Sequence, residues 1–371
     1  MNTTTDVAVS PTPEAHSVRW RQVGAFLGLT FGLTSVCNLY LALSGGLGAT
    51  PAIGLLLQGM MLIPACSALV LQLFVFSDSP LYFRGGFTWL RVFCYFFLAY
   101  SLVFWVAGVA SVGATSPGFL MSLQTTTQFL TLGGLVFVIV LQFLSPKAER
   151  KAVGLTFGHI KWYALFALLL VALYSLMTAL NHTFGLGEAV DAKAVIGKLA
   201  QASGQPTTGL EQMPAMNLLL LTGLKYAVLS PLIALLITFG EEYGWRGFLQ
   251  GELVKMGRVK GVALVGLIWG LWHAPVIVMG YNYPGYPVAG VLLMTLYCVC
   301  LGFILGLAYL KSGSVWLAAY LHGVNNQTMS FLSMLVYKPS DPVFSFGIGI
   351  YGLVIFALVG GVLLLDKTWR R

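Results

Sequence analysis

Two adjacent carboxylates interrupt an apolar run in the stretch LLITFGEEYGWRGFLQGEL, residues 235–253, and an arginine follows the second by four residues. Side chains four residues apart share one face of a helix, so Glu242 and Arg246 can form an ion pair. Glu241 points about 100° away from Glu242 around the helix and has no such partner. The spacing therefore predicts a structural ion pair of Glu242 with Arg246 and a free carboxylate at Glu241.

Two later motifs add imidazoles and an amide. In LIWGLWHAP, Trp269 and His273 are four residues apart, and in YLHGVNNQT the same spacing separates His322 from Asn326. If these faces converge, Glu241 can act as a general base and His273 can polarise the attacking water. His322 and Asn326 can then donate hydrogen bonds to an oxyanion.

The same side chains are compatible with a second mechanism. Glu241, His273 and His322 are also suitable ligands for a divalent metal such as zinc, whose bound water would be the nucleophile. Intramembrane Glu and His residues equally serve proton-coupled transporters, and a non-catalytic scaffold needs none of this chemistry. Spacing alone leaves these alternatives open.

The elements that must position these residues are membrane helices. The chain has 371 residues, of which 58% are hydrophobic and 9% charged, and its mean hydropathy is +0.85. This composition predicts an all-α, polytopic transmembrane bundle of about ten spans, because a helix needs roughly 20 apolar residues to cross a bilayer. The predicted spans are residues 22–44, 51–76, 88–112, 125–144, 162–181, 218–240, 261–281, 287–310, 314–335 and 345–365.

Ionisable residues are scarce inside these spans. Of 12 acidic residues, only Glu241 and Glu242 adjoin or enter a span, and of 5 histidines only His273 and His322 do so. Each such group costs roughly 2.5–3.5 kcal/mol at the bilayer centre. A lone intramembrane histidine is most often a packing residue, but three motifs in order on neighbouring spans favour one shared polar site.

The net charge of +8 has a topological explanation. If the N-terminus is inside, the inner segments hold most Lys and Arg residues, and the outer segments hold only Lys193, Lys198, Lys225 and Lys338. This positive-inside bias predicts that both termini are cytoplasmic, and it argues against a nucleic-acid partner. The five cysteines fall inside spans at no metal-binding spacing and are interpreted as packing residues.

The three motifs resemble those of a known family. EEYGWR, WGLWH and HGVNN are similar, in order, to EExxxR, FxxxH and HxxxN/D of the CPBP family, the CAAX protease and bacteriocin-processing group, also called ABI. The resemblance covers residues 217–335. Trp269 stands where phenylalanine is usual, which still provides an aromatic wall.

The resemblance implies an intramembrane endopeptidase of the type II CAAX prenyl endopeptidase kind, often labelled a metalloprotease. Its substrate would be a membrane protein or lipidated peptide in the lipid bilayer. Carried over by motif, Glu241 and His273 activate water, and His322 and Asn326 form the oxyanion hole. Some members of the family instead serve in bacteriocin immunity or as scaffolds. The location implied is the cell membrane, as a multi-pass protein of the bacterial inner membrane.

The chain is thus divided into five regions. Residues 1–17 are predicted as a disordered cytoplasmic tail, 18–181 as a five-span accessory bundle, 182–216 as an outer loop with a short amphipathic helix, 217–335 as the catalytic core, and 336–371 as the last span and cytoplasmic C-terminus. The sixth span runs inward, and its helix is predicted to continue past Glu241. The site is therefore expected in a submerged cavity open to the cytoplasmic side.

Overall fold

The N-terminal half of the molecule is a set of long apolar helices. A computed structural model describes residues 17–48, 52–202, 209 and 212–370, so nearly all of the predicted tail and part of the 182–216 loop lie outside the described residues. The helices of this half are α1 (Trp20–Leu43), α2 (Ile53–Met61), α3 (Ile63–Val70), α4 (Trp89–Ser111), α5 (Pro117–Leu144), α6 (Lys147–Ala152) and α7 (Ile160–Thr183).

The C-terminal half is more segmented. Its helices are α8 (Ala192–Ala202), α9 (Ala215–Leu224), α10 (Ser230–Ile233), α11 (Leu235–Glu242), α12 (Gly251–Leu253), α13 (Arg258–Trp272), α14 (Ala274–Val278), α15 (Pro287–Ser312), α16 (Val315–Leu335) and α17 (Ile350–Leu363). Two π-helical turns, Lys225–Leu229 and Tyr243–Gln250, join α9 to α10 and α11 to α12. The described ranges also contain a π-helical turn at Leu71–Val75. The short 3₁₀ turns are Gly46–Gly48, Phe83–Gly85, Val254–Met256 and Lys367–Arg370.

The all-α membrane bundle is confirmed, while its number of spans stays a prediction. Within the described residues, seven helical stretches are long and apolar enough to cross a membrane. These are Trp20–Leu43, Ile53–Val75, Trp89–Ser111, Pro117–Leu144, Ile160–Thr183, Ala215–Ile233 and Pro287–Ser312. Of the other predicted spans, α13 has 15 residues and α17 has 14, and α16 carries the polar residues of the HGVNN motif. The side on which each terminus lies also stays a prediction.

Prolines explain where predicted spans break. The 51–76 span divides into α2 and α3 just before Pro64, and the 261–281 span divides into α13 and α14 just before Pro275. Proline lacks an N–H and its ring collides with the carbonyl four residues earlier, so it is favoured only in the first turn of a helix. Hydropathy does not detect such breaks, because proline interrupts the hydrogen bonding rather than the apolar pattern.

The fourth predicted span, 125–144, starts too late. Helix α5 begins at Pro117, where the Ser116 hydroxyl accepts a hydrogen bond from the Phe119 amide. The polar run QTTTQ, residues 124–128, therefore lies inside this helix.

The connection after α7 is more ordered than a loop. Strand β1 (Gly187–Ala189) pairs antiparallel with β2 (Tyr337–Pro339), with Glu188 opposite Lys338. The predicted amphipathic helix is present as α8. These contacts tie the 182–216 connection to the segment that follows α16.

A single hydrophobic core extends across both halves. The ring of Phe239 on α11 stacks on Trp316 of α16 with centroids 4.5 Å apart, and it meets Phe97 of α4 edge-on at 5.0 Å. Buried residues of α1, α3, α4 and α7 belong to the same cluster as those of α11, α13, α15 and α16. The helices that carry the three motifs are thus held in place partly by the N-terminal half.

Candidate active site

The two glutamates lie within a continuous helical path rather than at a helix end. Helix α11 ends at Glu242, but the π-helical turn Tyr243–Gln250 continues it directly into α12. This confirms the predicted continuation past Glu241. Glycines allow α3 to pack closely here, because a Cβ on Gly240 would lie 2.6 Å from the Met61 carbonyl oxygen and one on Gly244 2.5 Å from Pro64.

Glu242 holds the predicted ion pair and a further partner. Its Oε1 accepts a hydrogen bond from Arg246 Nη1 at 2.8 Å, and both side chains are completely buried. The same oxygen lies 2.8 Å from Nδ1 of His322. Because a carboxylate only accepts, Nδ1 of His322 carries the proton of this contact. Glu242 therefore orients the histidine of the third motif as well as neutralising Arg246, a link that the sequence did not predict.

Glu241 was predicted to be a free carboxylate because its own helix offers no partner; it has none there, but its side chain is bound by a residue of another helix. Its side chain is 2% exposed, and its Oε2 accepts a hydrogen bond from the Trp269 indole N–H at 2.5 Å. This partner lies on α13. A charge-assisted bond of this kind holds the carboxylate in one orientation.

Trp269 is the common neighbour of the charged groups. The guanidinium of Arg246 lies 4.3 Å from its ring centroid, a cation–π contact. Its ring meets that of His322 edge-on at 5.5 Å and lies 6.0 Å from that of His273. The aromatic wall predicted at this position is present, and its N–H is a feature that the usual phenylalanine lacks.

His273 has one ring nitrogen engaged and one available. Its Nδ1 lies 2.9 Å from the backbone carbonyl oxygen of Trp269. A carbonyl only accepts, so Nδ1 is the protonated nitrogen of the neutral ring, and Nε2 keeps its lone pair. This tautomer suits a group that accepts a proton from water or holds that water in place.

Asn326 is oriented by a network that sequence reasoning missed. Its Oδ1 accepts a hydrogen bond from Asn325 Nδ2 at 3.1 Å, which leaves its own NH₂ as the group available to a ligand. Asn325 Oδ1 in turn accepts from the hydroxyls of Tyr174 and Tyr297, each at 2.9 Å. The only sequence signal was Asn325, the first asparagine of HGVNN, since both tyrosines are distant in sequence.

All four predicted catalytic residues line one cavity. Glu241, His273, His322 and Asn326 border a space of about 250 Å³, together with Trp269 and Tyr297. Glu242 and Arg246 lie behind this wall rather than on it. The structure thus brings the four predicted catalytic residues to one cavity and leaves the ion pair of Glu242 with Arg246 outside its lining.

The active-site cavity is bordered in part by loops at one end of the bundle. Its lining includes Tyr281 and Asn282, from the loop after α14, and Ile348, from the loop before α17. The basic end of the bundle is opposite, where Arg258 Nη1 donates to the Thr368 carbonyl oxygen. The opening of the active-site cavity toward the basic, cytoplasmic end stays a prediction. A separate space of about 700 Å³ lies at that basic end and is bordered by none of the catalytic residues.

The donor set does not form a metal centre. Among the residues that the structure describes, no three side chains of His, Cys, Asp or Glu are grouped so as to hold a metal ion. One nitrogen of each imidazole is bound to protein, and Glu241 is bound to Trp269. Metal binding by Glu241, His273 and His322 stays a prediction, and we derive no chemical step through a metal.

Comparison with known families identifies part of the chain. Residues 223–328 match the family "Type II CAAX prenyl endopeptidase Rce1-like". This segment contains all three motifs and every residue of the catalytic set, so the predicted family resemblance is confirmed over this range. A search of curated proteins finds no match to the chain. The Rce1-like segment lies among helices that are long and apolar enough to cross a membrane, which indicates a multi-pass membrane protein.

Proposed function

We propose that the protein is an intramembrane endopeptidase that hydrolyses a peptide bond of a membrane-associated or lipidated protein. The observation that supports this most directly is that Glu241, His273, His322 and Asn326 border one cavity inside the Rce1-like segment. The cell membrane, and in a bacterium the inner membrane, is the proposed location. A membrane protein or lipidated peptide is the proposed partner, and nucleic acid is not.

Water activation is assigned to Glu241 and His273. A water molecule between Glu241 and Nε2 of His273 loses a proton to the carboxylate as its oxygen attacks the carbonyl carbon of the scissile bond. The indole N–H of Trp269 holds the carboxylate in place during this step. The proton then passes to the amide nitrogen, the C–N bond breaks, and the amine leaves.

Stabilisation of the oxyanion is assigned to Asn326 and His322. The NH₂ of Asn326 is available because its carbonyl oxygen is held by Asn325. His322 donates from Nε2 when both ring nitrogens are protonated, and Glu242 at Nδ1 stabilises that imidazolium through its negative charge. Removing one such donor typically lowers kcat by about 10²–10³-fold.

The test is proteolysis by the purified protein in lipid nanodiscs, with a library of lipidated and membrane-spanning peptides as substrates. Wild type is compared with Glu241→Gln, and with Glu188→Gln as a control on the exposed strand β1. We expect Glu241→Gln to lower kcat by about 10²–10⁴-fold without loss of folding, because it removes the general base. Full activity of Glu241→Gln would refute the assignment, and absence of cleavage by wild type would favour a scaffold.

The proposed mechanism contains no metal step, so we expect activity to persist after treatment with chelators. Inactivation by a chelator and recovery with zinc would show that Glu241, His273 and His322 rearrange to bind a metal, and would replace the mechanism proposed above.

A further inference from the structure

A row of carboxamide side chains leads away from the active-site cavity into the N-terminal half. A second cavity, of about 560 Å³, is bordered by Gln58, Gln128 and Gln327, and it shares Met61 and Asn326 with the active-site cavity. A third, of about 300 Å³, is bordered by Gln58, Gln124 and Gln128. The three spaces adjoin one another. We name the second and third cavities together the amide groove, after the carboxamide side chains that line them: Gln58, Gln124, Gln128 and Gln327.

The groove is built between the two halves of the molecule. Gln58 lies on α2, Gln124 and Gln128 lie on α5, and Gln327 lies on α16, one residue after Asn326. Residues of α10 and α11, including Ser230 and Thr238, border the same space. Only Gln327 falls within the Rce1-like segment, so the other three amides are contributed by the N-terminal half.

These amides are unusual for the surface of membrane helices. Gln58, Gln124 and Gln128 are exposed in the described structure, and in it their side chains have no hydrogen-bond partner. Nearby Thr127 is different, since its hydroxyl donates to the carbonyl oxygens of Leu123 and Gln124. An amide without a partner in an apolar medium costs free energy, so a row of them indicates a ligand that supplies the missing hydrogen bonds.

The chemistry and spacing of the row fit an extended peptide. Each carboxamide both donates and accepts, as a backbone peptide unit does, and the row carries no charge that would select an ion. Gln124 and Gln128 are four residues apart on one helix face, about 6 Å along its axis. Peptide groups that point to the same side of an extended chain repeat every ~6.6 Å.

We propose that the amide groove binds an extended segment of the substrate and guides it past Asn326 into the active-site cavity. This inference rests on the proposed function and adds the substrate class: a membrane-embedded segment that unwinds. Backbone groups of an intact helix are already paired, so only unwound residues gain hydrogen bonds from the amides. The N-terminal half is then part of the substrate site rather than an accessory wall.

The first test compares two substrates. One is a membrane-spanning peptide long enough to fill the groove, and the other is a short peptide that reaches only the active-site cavity. For the double variant Gln124→Leu/Gln128→Leu we expect kcat/KM on the long peptide to fall about tenfold, mainly through KM, since two hydrogen bonds are lost. Cleavage of the short peptide should not change. The control, Thr125→Val/Thr126→Val, alters exposed residues of the same helix outside the groove and should match wild type on both.

An equal loss on both substrates would overturn the proposal, because it would indicate a damaged fold or site. An unchanged kcat/KM on the long peptide would overturn it as well. If wild type cleaves neither peptide, the proposed function fails, and the groove is then judged by the second test.

The second test measures binding without catalysis. In the Glu241→Gln background, Gln128→Cys or the control Thr126→Cys is incubated with a long peptide that carries a single cysteine, under oxidising conditions. We expect a disulfide cross-link for Gln128→Cys well above that for the control and for the parent with its 5 native cysteines. Equal cross-linking of the two variants, or displacement of the peptide by added lipid alone, would contradict peptide binding in the groove.

Discussion

Polar side chains are used in opposite ways in the two halves of this bundle. In the Rce1-like segment, residues 223–328, the charged groups Glu242 and Arg246 are buried, and Glu242 contacts both Arg246 and His322. In helix α5 of the N-terminal half the polar groups are neutral, and they include exposed amides that border a groove. Ionised side chains in a membrane need a partner of opposite charge or a hydrogen bond from the protein. Neutral amides can stay without a partner until a ligand binds. In our proposal, the Rce1-like segment carries the reaction chemistry, and α5 of the N-terminal half presents hydrogen-bonding groups to the substrate.

The largest effect is expected when the buried carboxylate of Glu242, which pairs with Arg246 and His322, is removed. In Glu242→Ala, Arg246 and His322 lose their shared acceptor, and we expect the free energy of unfolding to fall by about 3–5 kcal/mol. The measurement is the thermal midpoint and denaturant sensitivity in detergent micelles. Glu188→Ala serves as the control, because its pair with Lys338 is exposed. A Glu242→Ala protein as stable as this control would show that the buried charges need no partner.

The support of Asn326 is tested through Asn325. We expect Asn325→Ala to lower kcat by about 10–100-fold, because a displaced oxyanion donor loses much of its effect. The measurement is single-turnover cleavage in a double-mutant cycle with Asn326→Ala. If Asn325 acts only by positioning its neighbour, adding Asn325→Ala to Asn326→Ala should cost little more. Additive losses would contradict a positioning role.

A substitution at Trp269 can distinguish two roles of this residue: an aromatic wall of the cavity, and a hydrogen-bond donor to Glu241. Trp269→Phe keeps a ring at this position but removes the bond to Glu241, and we expect kcat to fall about tenfold, as for a bond to a charged group. Trp369→Phe makes the same chemical change at the basic end, where the indole donates to the Leu363 carbonyl oxygen, and should leave kcat unchanged. Equal activity of Trp269→Phe and wild type would show that only the aromatic ring of Trp269, as predicted from sequence, contributes to the site.

The smallest effect is expected at the exposed basic end. There the hydrogen bond from Lys311 to Asp366 lowers the pKa of this carboxyl from 3.8 to about 2. A depressed pKa stabilises the fold above the unfolded value and loses this effect as pH falls toward about 2. Asp366→Asn should therefore reduce stability by less than about 1 kcal/mol at neutral pH, and its difference from wild type should vanish between pH 3.8 and about 2. Thermal unfolding of both proteins across this range is the measurement, and a constant difference would contradict the assignment.

Local spacing predicted the parts of the site that lie on one helix. The ion pair of Glu242 with Arg246 followed from a four-residue separation, and the convergence of three motifs followed from the scarcity of intramembrane charge. The contacts of Glu242 with His322 and of Glu241 with Trp269 join residues 80 and 28 positions apart. No periodicity encodes such contacts, since they depend on how separate helices pack.

Hydropathy located most helices but misjudged polar ones. The predicted 125–144 span begins inside the polar run QTTTQ, residues 124–128, and leaves out the eight residues of α5 before it. Helix α5 includes this run, and two of its amides border the groove. A membrane helix that lines a polar space must depart from an apolar pattern, so hydropathy is least reliable at the residues that carry function.

Tyr174 sets a limit on how far the protein can be treated as modular. It lies on α7, outside residues 223–328, yet its hydroxyl reaches Asn325 of the HGVNN motif. A chimera that grafts the Rce1-like segment onto another membrane bundle would lack this hydroxyl. Oδ1 of Asn325 would then lose one of its two tyrosine donors. The smallest transferable unit of this site is therefore discontinuous in the chain and must include α7.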